Sequence, residues 1–333
     1  MKTRKLLSAA ILAALVCGLP LASRAGTLST DILSMFPKET GEMAYADLKT
    51  ARQYPWFAQL KEQMLPPKFR QFEQFLVSVG VDPNSQVQEL AWGLVPSTMS
   101  GTGGAAVPSA DEVVGVALGQ YDPSSAEAMY TAKKLPIVKV RTLSLLAFGS
   151  GNGPNDLFFT FLDSNTAAFG SRKQLEQLIG VRYGETQGLF ANADFSALVN
   201  QANGSGVVWA VLDPAYARLA MQQLVPETAQ FPAAAQLSAK LKALTIGVQT
   251  GSGVQAKFEA VCGSTDDANT FAALLQAGIM YRRYQVGSTN PDLAQMLDQT
   301  QVAPAGDRLD LSLSLTDDQM TALIRKNTFS LKM

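Results

Sequence analysis

The chain contains no histidine, so acid–base and nucleophilic work falls to carboxylates, hydroxyls, lysine, tyrosine and thiol. That removes Ser-His-Asp and Cys-His activation, HExxH zinc chemistry and the commonest zinc and copper ligand. Paired carboxylates could still cleave a glycosidic bond, one as acid and the other as base or nucleophile. Most aspartates, however, sit where helix starts want an acceptor for unpaired N–H groups: Asp122, Asp213, Asp266, Asp267, Asp317 and Asp318. Asp47 and Asp163, at strand ends, are the two that capping explains least. Thr131 and Lys134 have a nucleophile-x-x-Lys spacing too short to stand above chance, and no G-x-S-x-G is present. Asp82 to Gln86 lacks the turn glycine and terminal bidentate acid of a calcium loop. Gly149 to Gly153 leads into the strand-like LFFTFLD, whereas phosphate-cradling loops open a helix, so a hairpin turn is expected there. The sequence thus predicts no catalytic, cofactor-binding or metal-binding residues.

Two clusters could contact a ligand instead. Phe69, Phe72 and Phe75 form a stripe at helical spacing, which lines either a groove for a small hydrophobic ligand or the core. Tyr281-Arg282-Arg283-Tyr284 is the densest basic–aromatic group. Arg282 and Arg283 could meet an anionic ligand or envelope polymer, or simply match a helix C-terminus.

Periodicity places the elements that carry these residues. Strands are expected at Glu42–Leu48, Val87–Val95, Glu112–Tyr121, Lys139–Phe148, Asp156–Asp163, Thr166–Phe169, Val207–Leu212, Lys242–Thr250, Gly253–Cys262 and Arg308–Leu315. Helices are expected from Pro55 (Phe57, Leu60 and Met64 on one face), over Lys68–Val79, after Asp122-Pro123, after the cap Ser171, over Ala193–Gln201, after Asp213-Pro214, from a Thr265 cap to about Tyr284, over Pro291–Gln299 and after the cap Thr316. Pro96 to Ala110 reads as a Gly-rich hairpin loop.

The first 25 residues read as a signal peptide. Lys2, Arg4 and Lys5 precede an apolar run from Leu6 to Val16, and Ser23-Arg24-Ala25 places small residues for cleavage between Ala25 and Gly26. Val16 before Cys17 makes a poor lipobox. Without Lys2, Arg4, Lys5 and Arg24, the 27 basic residues become 23 against 28 acids, a formal net charge of −5. Nucleic acid is therefore not an expected partner. No second long apolar run follows, so no transmembrane segment is expected in the mature chain, which should be periplasmic or secreted. Cys262 alone of the two cysteines would survive cleavage, which leaves no intramolecular disulfide.

The remainder reads as two α+β units, 26–202 and 203–333. GEMAYADL from Gly41 matches GVVWAVLD from Gly206. VQELAWGLV from Val87 matches LKALTIGVQ from Leu241. The strand and helix from Glu112 match those from Gly253, and the helix capped by Ser171 matches that capped by Thr316. The expected fold is α+β, two degenerate tandem repeats, each a largely antiparallel sheet with helices packed on one face. The stretch FPKETGEMAYADLKTARQYPWFAQL, from Phe36, resembles the start of uncharacterised exported bacterial proteins in which an acidic–proline lead-in precedes a strand ending in Asp-Leu and a helix. The resemblance covers the first third and carries no catalytic motif. It implies an exported, two-part protein. The expectation is an exported non-catalytic envelope protein that binds or scaffolds an envelope protein. The alternatives are a carrier of a small hydrophobic ligand and a carboxylate-dependent hydrolase.

Overall fold

The structure, a computed structural model, describes residues 26–96, 111–153, 156–224 and 238–328. In chain order the elements are α1 (Thr30–Ser34), β1 (Glu42–Asp47), α2 (Leu48–Ala51), α3 (Phe57–Met64), α4 (Pro67–Ser78), α5 (Pro83–Gln86), β2 (Val87–Pro96) and β3 (Asp111–Gly119). Then follow α6 (Pro123–Ala132), β4 (Ile137–Val140), β5 (Leu143–Phe148), β6 (Leu157–Phe161), β7 (Thr166–Gly170), α7 (Arg172–Arg182), a 3-10 turn (Leu189–Ala191), α8 (Ala193–Ala202) and β8 (Val208–Leu212). The last are α9 (Pro214–Leu224), β9 (Ala243–Thr250), β10 (Val254–Val261), α10 (Thr265–Val286), α11 (Pro291–Gln299), β11 (Gln301–Ala305), β12 (Arg308–Leu315) and α12 (Asp317–Arg325).

All twelve strands form a single antiparallel sheet in the order β11-β12-β10-β9-β8-β1-β2-β3-β7-β6-β5-β4. Its middle is the β1–β8 pair, where Tyr45 lies opposite Trp209. The two rings stack with centroids 5.6 Å apart, and both are fully buried. Such a pair adds about 0.5–1.5 kcal/mol to the benefit of burial.

On the front face, the side of Tyr45 and Trp209, the first strands are covered by α1, α7 and α8. Leu175, Leu178 and Ile179 of α7 and Phe195 and Val199 of α8 meet Met43, Val116 and Phe158 there. Strands β10 and β12 present polar residues on this face: Gln255, Lys257 and Glu259 lie opposite Ser314, Ser312 and Asp310. A Lys257–Asp310 ion pair of 3.2 Å and an Arg308–Glu259 pair cross-link them. The back face carries α4 and α6 at one end, over Leu146, Phe159 and Phe161, and α9 to α12 at the other. In β12 the alternation is complete. Leu309, Leu311, Leu313 and Leu315 all point to the helices, because side chains two apart share a face.

Several expectations need correction. Whether residues 26–202 and 203–333 share a sheet was left open by the sequence, and they do share one. The expectation of helices on one face fails at β5 to β7, where helices cover both faces because residues of both parities are apolar: Leu145 and Ala147 face α7, while Leu146 faces α6. Helices on a single face describe β10 to β12 only. The expected strand Lys139–Phe148 is a hairpin, β4 and β5, turned at Arg141, which takes a positive φ of 54°. Strand β11 was not foreseen, since Pro304 argues against a strand; at a sheet edge its missing N–H costs nothing. Met64 is exposed rather than inward. Ser264, not Thr265, caps α10, its hydroxyl accepting from Asp267 N. The proposed leader with Ala25, residues 97–110 of the Gly-rich loop and Pro154-Asn155 lie outside the described residues.

The Gly149–Gly153 segment joins β5 to β6, and its amides are satisfied from within the chain. Gly151 N and Gly153 N donate to the Asp156 carboxylate at 2.7 and 2.9 Å, and the Ser150 hydroxyl donates at 3.0 Å. Burial pushes the Asp156 carboxyl up, but these bonds outweigh it and hold the group below the usual carboxylate range. A depressed folded value stabilises the protein above the unfolded value and is lost as pH falls through the folded one. Asp156→Asn should therefore cost about 1 kcal/mol at pH 7 and progressively less below about pH 4 in urea melts. An equal loss at both pH values would refute this account.

Opposite Phe169, residue 115 must be glycine. A Cβ there would lie 2.1 Å from the ring Cζ of Phe169, its cross-strand partner. Gly115→Ala should lower stability by about 1–3 kcal/mol, the usual cost of overpacking, and a Phe169→Leu background should absorb most of that loss. Equilibrium denaturation of the four proteins of this cycle measures both.

Candidate functional site

Helix α10 begins in a well-built cap. Asp266 and Asp267 lie in its first turn, and Lys240 Nζ reaches Asp267 Oδ1 at 2.5 Å. Its inner side, Ala268, Phe271 and Ala272, is buried against Ala260, Cys262 and Leu309 of the sheet. The Cys262 thiol is fully buried, and burial first, then Asp267 and Asp307, push its pKa up to about 11, so it is an unreactive core group.

Beyond Ala272 the outer side of α10 is also apolar and has no cover among the described residues. Ala273, Leu274, Ala277, Met280, Tyr281 and Tyr284 recur at three- and four-residue spacings and are all exposed. Leu274 is 45%, Met280 71%, Tyr281 56% and Tyr284 88% accessible, far beyond what isolated surface side chains need. Arg282 and Arg283 flank this stripe, and Arg283 is ion-paired with Asp298 of α11. The sequence flagged the Tyr281–Tyr284 group for its charge. The signal it missed is that α10 is apolar on two sides, which a helix lying on one sheet does not require.

The other sequence-derived contact residues lie elsewhere. Phe72 sits with its ring 5.5 Å from Phe148 and 6.2 Å from Phe159. Phe75 lies 5.0 Å from Phe148 and 6.0 Å from Tyr130, and Phe69 packs against the same cluster. These rings fill the space between α4, α6 and the sheet, the core-face arrangement. They lie apart from Arg282 and Arg283, which belong to the opposite end of the sheet.

The acids have structural partners. Asp47 caps α2, accepting from Thr50 N at 2.8 Å and from its hydroxyl at 2.7 Å, and Asp163 accepts from Asn165 N at 2.8 Å in the β6–β7 turn. Asp213 accepts from Ala215 N and Tyr216 N at 2.8 and 2.9 Å, and burial pushes its carboxyl up against those bonds. A cleft of about 350 Å³ that the sequence did not point to lies between α3, α4 and α5. Its charges are cross-paired: Lys61 with Glu73 at 2.8 Å, and Arg70 with Glu62 at 4.0 Å. Arg52 beside them donates to the carbonyls of Val87 and Pro83 at 2.7 and 3.0 Å. The cleft can accept a polar group, but it presents its carboxylates already matched by cations. Among the described residues no group of three or more Cys, Asp or Glu could hold a metal ion, and no helix is long and apolar enough to cross a membrane.

No family model matches the chain, and no curated protein matches it. Among solved structures, the chain is similar to one titled "Structure of crystal form I of TP0453", with a TM-score of 0.51 and 9% identity over 90% of this chain and 98% of that one. That likeness is one of fold: a mixed α+β chain built around a large antiparallel sheet.

Proposed function

We propose that the protein is an exported, non-catalytic envelope protein that binds or scaffolds a protein partner through the outer stripe of α10. It would act in the periplasm or outside the cell after removal of residues 1–25. The observation that carries this reading is the uncovered row from Leu274 to Tyr284, with Met280, Tyr281 and Tyr284 at its most exposed end. Aromatic residues with Met and Arg are the types enriched where proteins meet. The carrier alternative draws less support, because Phe69, Phe72 and Phe75 are committed to ring contacts in the core. The hydrolase alternative also draws less support, because Asp47 and Asp163, the acids that capping explained least in the sequence, accept hydrogen bonds from Thr50 and Asn165.

We also infer that units 26–202 and 203–333 are degenerate copies, and the strand order supports this. Read outward from the β1–β8 pair, one side runs β1, β2, β3, β7 and the other β8, β9, β10, β12, and a helix follows the last strand on each side, α7 and α12. Both helices have hydroxyl caps, Ser171 and Thr316. The resemblance of the Phe36–Leu60 stretch to exported two-part proteins agrees with this arrangement.

Native mass spectrometry of the protein purified from its own host tests the binding reading. A stable protein adduct is expected, and it should be lost from a Met280→Glu, Tyr284→Glu variant whose melting temperature is unchanged, since surface substitutions cost within about 0.5 kcal/mol. A co-purified small hydrophobic mass, or an adduct indifferent to the two substitutions, would sink it.

A further inference from the structure

Residues 26–28 are fastened to the front face beside two acids that no cation among the described residues pairs with. Asn203, at the end of α8, holds Leu28 through two bonds of 2.9 Å, accepting from Leu28 N and donating to Leu28 O. Gly26 then lies against Tyr45: a Cβ on Gly26 would be 2.0 Å from the Tyr45 hydroxyl oxygen, so only glycine fits. That hydroxyl donates to Glu89 Oε2 at 2.9 Å. Glu89 is the direct cross-strand partner of Asp47, and both project on the same side as Tyr45. Two carboxylates in register repel one another, which a sheet normally avoids. Among the described residues no cation pairs with Glu89 or Asp47. Glu89 and Asp47 are the charges acting on Tyr45, and each, like burial, disfavours its ionisation.

We propose that hydrolysis of the Ala25–Gly26 bond supplies the missing cation, the new Gly26 ammonium docking on Glu89 and relieving the Asp47–Glu89 repulsion. Water adds across the peptide bond; the C–N bond breaks, Ala25 leaves as a carboxylate, and the released Gly26 amine takes a proton. Processing therefore gives the Gly26 nitrogen a charge it does not carry as a peptide nitrogen. The inference rests on the export reading for the position of the cut, and on Gly26, Tyr45 and Glu89 for the pairing.

Three forms of the mature chain test it: one starting at Gly26, one extended by Ala25, and the Gly26 form carrying Glu89→Gln. Glutamine keeps an acceptor for Tyr45 but removes the charge. In competition labelling with an amine-reactive ester near pH 8, the Gly26 amine should react about tenfold more slowly in the first form than in the Glu89→Gln form, a shift of about one pKa unit. The Gly26 form should also melt about 1–3 °C above the Ala25-extended form, and Glu89→Gln should close that gap. Equal labelling rates would overturn the pairing, whatever the fate of the leader. N-terminal sequencing of the exported protein addresses the cut separately: a start at Gly26 supports it, and any other mature start overturns it while leaving the labelling result intact.

Discussion

Everything in this fold depends on the pairing of β1 with β8. Each of these strands begins one half of the chain, and their five-residue antiparallel register turns two smaller sheets into one of twelve strands. The stacked Tyr45 and Trp209 fix that register, because a one-residue slip of either strand would turn its ring to the other face, away from its partner. The seam carries a cost: the Trp209 indole N–H is buried with no hydrogen-bond partner. Such a group costs on the order of 1–3 kcal/mol, which the aromatic burial and stacking must exceed.

Much of this architecture was legible in the sequence, and the failures have specific causes. Strict alternation identified β12, because one of its faces is buried and the other polar. Asp-Pro at Asp122 and Asp213, and the hydroxyls of Ser171 and Thr316, marked helix starts because a side-chain oxygen there answers an otherwise unpaired N–H. The β4–β5 turn was hidden, since Arg141-Thr142 carries none of the Gly or Asn that usually betray a positive φ. Strand β11 was hidden by Pro304, whose acceptability depends on lying at the edge, a fact of the assembled sheet. The fusion into one sheet was equally out of reach: period-two patterning says which side of a strand is apolar but not which strand it joins.

The candidate site was legible only in part, for a related reason. Periodicity shows that a helix side is apolar, but not whether anything covers it. The Phe69–Phe75 stripe and the Leu274–Tyr284 stripe look alike in sequence. The first meets Phe148 and Phe159 from the sheet, while the second begins where α10 has used its inner side on Cys262 and Leu309. Asp47 misled in the opposite sense. It looked free of a capping role because α2 is only four residues long and gives almost no periodic signal of its own.

The central seam also dictates a sequence of events in time. Strands β2 and β3, and β9 and β10, pair with near neighbours in the chain, so they can close early at small entropic cost. Tyr45 must wait for Trp209, which emerges only after the first half has been made. The long-range closure of β1 on β8 is thus the slow step expected of non-local strand pairing. Until it happens the chain is two half-sheets with open inner edges, and only closure of the seam hides those edges from pairing with other strands.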